Sequence, residues 1–309
     1  MLRNEFCQDC AVTERRSVDS HWVGVILVGI GAIVSSTSGL LVRQIEAAST
    51  WQIVFYRALF LMVGVSVVFI VRHGRYWVKD LRASARVVLL VGPVQGCSSM
   101  CFVFALTHTT VANTMLVLSA VPLITSLMSR VLLKDKVLPA TIGAMLVAAG
   151  GMLLMSIDGI TNGNLFGTAL ALLNAFGYAL YLVLIRRFSY MDMLPAIVVG
   201  AVSAALISGS LADSLSITTH DFIVCMAWGG FAQCGALVLI TLGSKYIRPT
   251  ELSFFGTIEN VLSPTWVWLI VGEVPTLLAA IGGSIITGAV VLWMLLLPKK
   301  AAAVNAKMV

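Results

Sequence analysis

The sequence predicts an all-α membrane protein in which ten transmembrane helices form two inverted five-helix repeats. Three observations predict it. Ten apolar runs are each long enough to cross a bilayer. Lys and Arg fall almost entirely on one side once those runs are threaded in order. Residues of the first five runs recur, in order, in the second five.

Of 309 residues, 59% are apolar and 11% charged, with a mean hydropathy of +0.98. Soluble domains carry about 25% charged residues, so this apolar excess cannot be hidden in a water-soluble core. A hydrocarbon layer of about 30 Å takes about 20 apolar residues per helix. The expected segments are 22–43, 50–71, 86–107, 109–131, 138–156, 165–186, 194–212, 222–244, 250–271 and 276–297. They divide the chain into a tail (1–21), a first five-helix repeat (22–156), a second (165–297) and a C-terminal tail (298–309). The first 21 residues are polar and the first apolar run is too long for a signal-peptide core, so it is expected to stay as an uncleaved anchor.

The chain has 20 Lys and Arg; setting aside Arg43, in an odd-numbered connection, and Arg57, inside segment 2, leaves 18 in the tails and even-numbered connections. Basic residues stay in the cytoplasm, so both termini are predicted to be cytoplasmic. The net charge of +6 is then a topology signal, and no nucleic-acid partner is expected. The chain has no N-x-[ST] acceptor and no long loop, which is compatible with a bacterial inner membrane.

Four of the six Cys (Cys97, Cys101, Cys225, Cys234) lie in apolar segments and read as small apolar residues. Cys7 and Cys10 form a C-x-x-C in the tail with His21 the one His nearby; a structural zinc wants four ligands, so no metal or other cofactor is expected.

The repeat is read from paired positions. Segments 1 and 6 match at Gly24/Gly167, Leu27/Leu170, Ala32/Ala175, Leu41/Leu184 and Arg43/Arg186; segments 3 and 8 at Gly92/Gly230 and Gln95/Gln233; segments 5 and 10 at Ile142/Ile281, Gly143/Gly282, Leu153/Leu292 and Met155/Met294. The Gln pair is the most telling, because Gln is uncommon in lipid. An odd number of spans inserts the second half upside down, an architecture that places binding sites near the midplane between halves.

At this point the chain resembles the drug/metabolite transporter superfamily, specifically the EamA-type permeases, over about 22–297. The resemblance rests on the five-plus-five repeat and on Arg57 within WQIVFYRALF. It rests also on TTVANTMLVLSAVPLITSLMSRVLLKD in segment 4 and on ENVLSPTWVWLIVGE in segment 9. The chain departs from the family pattern at Lys134-Asp135, where members often carry Gly-Glu. The resemblance implies export or exchange of a small organic metabolite and does not fix which.

Polar side chains at membrane depth are costly and usually face the bundle interior or a water-filled cavity. Gln95, Gln233, Glu259 with Asn260, and Asn174 with Tyr178 fall near the centres of segments 3, 8, 9 and 6. The expected substrate-binding set is Ser36, Gln95, Ser99, Asn174, Tyr178, Gln233, Glu259, Asn260, Ser263 and Trp266. For Gln95, Gln233 and Asn174 the alternative is hydrogen bonding between helices.

Glu259 is the one carboxylate near the middle of any span; Asp135, Asp158, Glu251 and Glu273 lie at helix ends. Burial favours the neutral acid, which lets Glu259 take up and release a proton, or it can hold an ammonium group. The alternative is a structural pair with Arg57. On segment 9, Phe255, Gly256, Glu259, Ser263 and Trp266 form one stripe at steps of three and four. Such a stripe suits an organic cation or zwitterion, to which an aromatic would add a cation–π contact; the bland reading of Trp266 is packing. Ser35-Ser36-Thr37-Ser38 of segment 1 are able to bond to their own helix carbonyls and bend it. With Tyr178 and Tyr181 they are placed to line the outer half of a cavity.

Pro122 in segment 4 and Pro264 in segment 9 predict kinks. The Gly and Ala clusters of segments 5 and 10 (Gly143, Gly150 and Gly151; Gly282, Gly283 and Gly288) predict close packing, with a dimer face as an option, so a monomer or a homodimer is expected. Trp22, Trp51, Tyr76, Trp77, Tyr190 and Tyr246 read as interfacial belt residues.

Neither G-x-x-x-x-G-K-[ST], H-E-x-x-H nor G-x-S-x-G occurs, and all four His lie at helix ends or in loops. ATP-driven transport and a membrane-embedded enzyme are therefore disfavoured. A channel usually builds a ring of like residues by oligomer symmetry, whereas this chain carries its own pseudo-symmetry. The expected partners are a small organic solute, with an amino acid or related amine favoured, and the lipid bilayer.

Overall fold

A computed structural model describes residues 22–74, 77–133, 142–144, 146–151, 153–154, 165–188, 193–243 and 249–296. Every regular element among them is helical. The helices are α1 (Trp22–Arg43), α2 (Thr50–His73), α3 (Trp77–His108) and α4, in two pieces (Val111–Leu118 and Val121–Leu133). Then come α5 (Ile142–Gly151), α6 (Leu165–Arg187) and α7 (Leu194–Leu211). Last are α8 (Thr219–Met226, Ala227–Gln233 and Cys234–Gly243), α9 (Pro249–Val271) and α10 (Leu277–Leu296). Seven of them, α1 to α4 and α6 to α8, are long and apolar enough to cross a bilayer. α9 and α10 run 23 and 20 residues.

The helices turn their apolar side chains outward as well as inward. Val71 is 77% exposed, Leu277 76% and Phe231 71%. A surface that leaves large hydrophobics this open needs hydrocarbon around it. Inside, one core joins α2, α3, α7 and α8 through residues such as Val54, Val91, Leu106, Ala204 and Trp228. A second joins α4, α5, α6 and α10, where Ala171, Ala175 and Ala179 form a fully buried stripe at steps of four. Small residues let helices approach where lipid removes the hydrophobic drive. α3 and α7 meet the same way: a Cβ on Gly96 would lie 2.5 Å from the Gly200 carbonyl oxygen.

The short connections gather at one end. Asp221, in the first turn of α8, is fully buried and accepts the backbone N–H groups of Glu46, Ala47 and Ala48 at 3.0, 3.1 and 2.9 Å. Gln52 closes a capping box with Ser49 at the start of α2 and donates through Nε2 to the carbonyls of Ser214 and Ser216, both at 2.9 Å. Arg43 pairs with Glu273 at 2.7 Å, and its Nη groups donate to the Leu106 and Thr109 carbonyls at 3.0 and 2.9 Å. Glu273 also accepts the Val111 N–H at 2.8 Å. The first, third, seventh and ninth connections thus meet, as the threading requires. Arg72, Arg130 and Arg187 stand at the far ends of α2, α4 and α6. Arg43, the one basic residue expected on the other side, is neutralised by an ion pair.

Several local features differ from the sequence reading. The 109–131 segment is not one helix: it breaks at Ser119-Ala120, ahead of Pro122, whose missing N–H and ring clash interrupt the regular ladder, and the Ala120 N–H bonds to the Val117 carbonyl, three residues back, at 3.1 Å. Pro264 sits inside an uninterrupted α9. α3 begins at Trp77, so Lys79, Arg82 and Arg86 stand on helical backbone and not in a loop. α8 contains a π-helical stretch, Ala227–Gln233. Gly229 in it packs where a Cβ would lie 2.2 Å from the Arg57 carbonyl oxygen, so α2 and α8 touch backbone to backbone. Of the glycine clusters, Gly151 packs on Gly282, whereas Gly143 and Gly288 face open space. Cys7, Cys10, His21, Tyr76, Lys134, Asp135, Met155, Asp158, Tyr190 and Tyr246 lie outside the described residues, as do both tails.

Candidate functional site

The ten expected site residues fall into separate contact groups. The first is the seam between α1 and α9. The hydroxyl run interrupts α1 at Thr37: Ser36, Thr37 and Ser38 each donate a hydroxyl to the carbonyl three residues back, all at 2.7 Å. Ser35 instead reaches across and donates to Glu259 Oε1. Trp266 Nε1 donates back to Ser36 Oγ at 3.0 Å. A Cβ on Gly39 would lie 2.6 Å from Ser263 Oγ, and one on Gly29 3.4 Å from Phe255 Cε1. The α9 stripe therefore runs along α1 from Gly29 to Gly39. Ser36 and Ser263 are fully buried, while Glu259, Asn260 and Trp266 are half-buried.

Glu259 forms no ion pair among the described residues. Its expected alternative partner, Arg57, is committed elsewhere, in a second group formed by α2, α3 and α8. Arg57 lies about 10 Å along α2 from its first residue, at 1.5 Å per residue. It is 1% exposed. Its Nη1 donates to Gln233 Oε1 and its Nη2 to Ser99 Oγ, and the guanidinium lies 5.0 Å from the centroid of the Trp228 ring. A charged Arg at the centre of a membrane helix costs roughly 2.5–3.5 kcal/mol on insertion scales. A desolvated cation–π contact returns about 2 kcal/mol or more, and the charge-assisted hydrogen bonds to Gln233 and Ser99 supply part of the rest.

A third group joins α3 to α6. Ser98 Oγ donates to Asn174 Oδ1 at 2.8 Å, and both residues are buried. Tyr178, one turn further along α6, is 40% exposed and stacks on buried Tyr181 with centroids 6.1 Å apart. Gln95 and Gln233, paired in the sequence reading, have different surroundings: Gln233 has Arg57, whereas Gln95 Oε1 is buried without a partner among the described residues, its Cβ close to Gly200 of α7.

The sequence reading missed Arg57 as the centre of a polar group, and with it Trp228 and Cys225, which are fully buried on the first turns of α8. The signal was available: Arg57 is the one basic residue within an expected span away from its ends. Among the described residues no group of three or more His, Cys, Asp or Glu is placed to hold a metal ion.

A bundle of helices with apolar faces outward and polar side chains meeting between them defines a multi-pass membrane protein. Residues 22–157 match the EamA-like transporter family. This stretch belongs to that family, and the match supports assigning the chain to the EamA type of the drug/metabolite transporter superfamily. No curated protein matches the chain. Fifteen chains of solved structures match its fold. One, described as "Crystal structure of protein", superposes with a TM-score of 0.61 at 18% identity, covering 88% of this chain and 97% of its own. That likeness shows the fold alone.

Proposed function

We propose that the chain is a secondary transporter that exports or exchanges a small organic metabolite by alternating access. An amino acid or related zwitterion is the favoured solute class. In this reading ten helices cross the cell inner membrane as inverted repeats, 22–156 and 165–297, with both termini in the cytoplasm. The protein works as a monomer or a homodimer. The α1–α9 seam is where the two repeats meet around the solute, and Glu259 couples proton entry to solute exit.

The observation that carries the reading is the state of Glu259. It is a carboxylate at mid-span held by a hydroxyl, Ser35, and by no cation among the described residues. A carboxylate locked to Arg would keep its charge in every state. One held by a hydroxyl is able to lose and regain a proton as the cavity changes sides, because dry surroundings favour the acid and wet surroundings the anion. The broken backbones of α1 at Thr37 and α4 at Ser119-Ala120 supply places to bend.

The test is flux in proteoliposomes loaded with labelled amino acids, with a pH gradient of either sign. Wild type is expected to show saturable flux that rises when protons move opposite to the solute. Glu259→Gln is expected to retain exchange of solute for solute and to lose the response to the gradient. Wild-type gradient dependence in Glu259→Gln ends the coupling proposal, and flux that never saturates ends the carrier proposal.

A further inference from the structure

The transport reading leaves one buried charge unused. Arg57 carries a full positive charge at membrane depth, and its polar partners, Gln233 and Ser99, are neutral. The carboxylates at this end of the bundle are engaged elsewhere. Glu259 accepts from Ser35, Asp221 accepts three backbone N–H groups, and Glu273 pairs with Arg43. No carboxylate pairs with Arg57 among the described residues.

The same cluster also has too many donors. Arg57 Nε and Trp228 Nε1 are both buried and have no acceptor among the described residues. They are not scattered: the guanidinium lies over that indole ring. Two orphan N–H donors and an uncompensated cation in one place form an acceptor-deficient site. Buried donors nearly always find partners, and intramembrane charges nearly always pair. What is missing here is an anion with at least two acceptor oxygens. The Nε edge of a guanidinium presents two parallel N–H groups at the spacing of a carboxylate, and it keeps its charge at any physiological pH.

We infer that Arg57 and Trp228 form an anion subsite that takes the carboxylate of the transported solute. The word "transported" rests on the function proposed above; the binding of a carboxylate does not. The inference also sharpens the solute class. A solute with a carboxylate brings an anion to Arg57, whereas a simple amine leaves Arg57 unbalanced. Because Gln233 and Ser99 already hold the guanidinium from two helices, a carboxylate arriving at Nε is read against a fixed fork.

The test is thermal unfolding of the purified full-length chain in a chloride-free zwitterionic buffer, titrated separately with acetate, L-alanine, ethylamine and chloride. A ligand of the folded state raises the melting temperature saturably. Acetate and L-alanine are expected to do so, and ethylamine to do nothing. Arg57→Gln is expected to weaken both about tenfold to a hundredfold, the range for loss of charge-assisted hydrogen bonds. Should Arg57→Gln fail to fold, Arg57→Lys and Trp228→Phe decide. The first keeps the charge without the fork and the second keeps the ring without the N–H, and each is expected to weaken acetate several-fold. Absence of a saturable carboxylate shift in wild type overturns the inference. So does a shift unchanged in all three variants, or a shift with chloride and none with acetate. Arg57-dependent acetate binding without saturable flux in liposomes would sustain the subsite and end the transporter reading; saturable flux without such binding would do the reverse.

Discussion

Replacing Asp221 by Asn is expected to loosen the end of the bundle where the connections meet, and the size of the effect follows from the geometry. Asp221 is fully buried and accepts three backbone N–H groups at 2.9–3.1 Å. Its own N–H is taken by Thr218 Oγ1 at 3.1 Å, and it sits in the first turn of α8, where a negative charge is favoured. Asn keeps the shape but turns an NH2 toward one set of donors. At least one bond is lost, and the others fall from charge-assisted, about 1.5–3 kcal/mol each, to neutral, about 1 kcal/mol. The nominal loss is about 2.5–7 kcal/mol. Glu46 and Ala47 are exposed and water can reach their N–H groups, so the lower part of that range is expected. At roughly 2–4 °C per kcal/mol for chains of 150–250 residues, and less for longer ones, the melting temperature should fall by about 3–6 °C. Differential scanning fluorimetry in detergent reads this, and amide exchange at residues 46–48 reads its location. His220, half-exposed and 3.5 Å from the same carboxylate, serves as the control. His220→Ala is expected to change stability by less than about 0.5 kcal/mol. A fall under 1 °C for Asp221→Asn, or unchanged exchange at 46–48, would refute the argument.

Two further outcomes follow from the packing. Exchanging the Arg43–Glu273 pair as Arg43→Glu with Glu273→Arg should not restore the melting temperature lost in either single variant. Arg43 also donates to the Leu106 and Thr109 carbonyls and Glu273 accepts from Val111, roles the swapped side chains cannot fill. Full recovery in the double variant would show that the charges alone matter. Gly229→Ala should cost more than about 3 kcal/mol or abolish the folded protein on size exclusion, because its Cβ would sit 2.2 Å from a backbone oxygen of α2. A folded Gly229→Ala protein within about 1 kcal/mol of wild type would mean that α8 moves away from α2 freely.

Much of the fold was legible because lipid enforces simple rules. Apolar runs of about 20 residues give helices, and the connections at 44–49, 109–110, 212–218 and 272–276 lie in contact at one end. The α9 stripe was legible from spacing, since Phe255, Glu259, Ser263 and Trp266 share a face whatever they touch. Their neighbour was not: nothing in the period of α9 says that α1 lies beside it or that Ser35 will reach Glu259. The bonding of Ser36, Thr37 and Ser38 to their own carbonyls is local chemistry and could be foreseen. The π-helical stretch in α8 could not. It carries Gly229 against Arg57, a contact between residues far apart in sequence. The repeat logic also placed Gln95 and Gln233 as equals, yet only Gln233 meets a cation, because Arg57 has no counterpart beside Gln95. The sequence pairs these two side chains, and tertiary contacts give them different partners.

The clamp of Arg43 on Glu273 has a consequence for how the protein is made. Arg43 and Glu273 are 230 positions apart, and Glu46 and Asp221 are 175 apart. At synthesis rates of about 5–20 residues per second, Arg43 waits on the order of ten to fifty seconds for its partner to emerge. During that interval the first helices sit in the bilayer with a charged side chain and a loop of unpaired N–H groups at the membrane surface, where water and lipid headgroups can satisfy them. The clamp therefore closes late, after α9 has been made, and a chain truncated before residue 273 would be held by its helix packing without it.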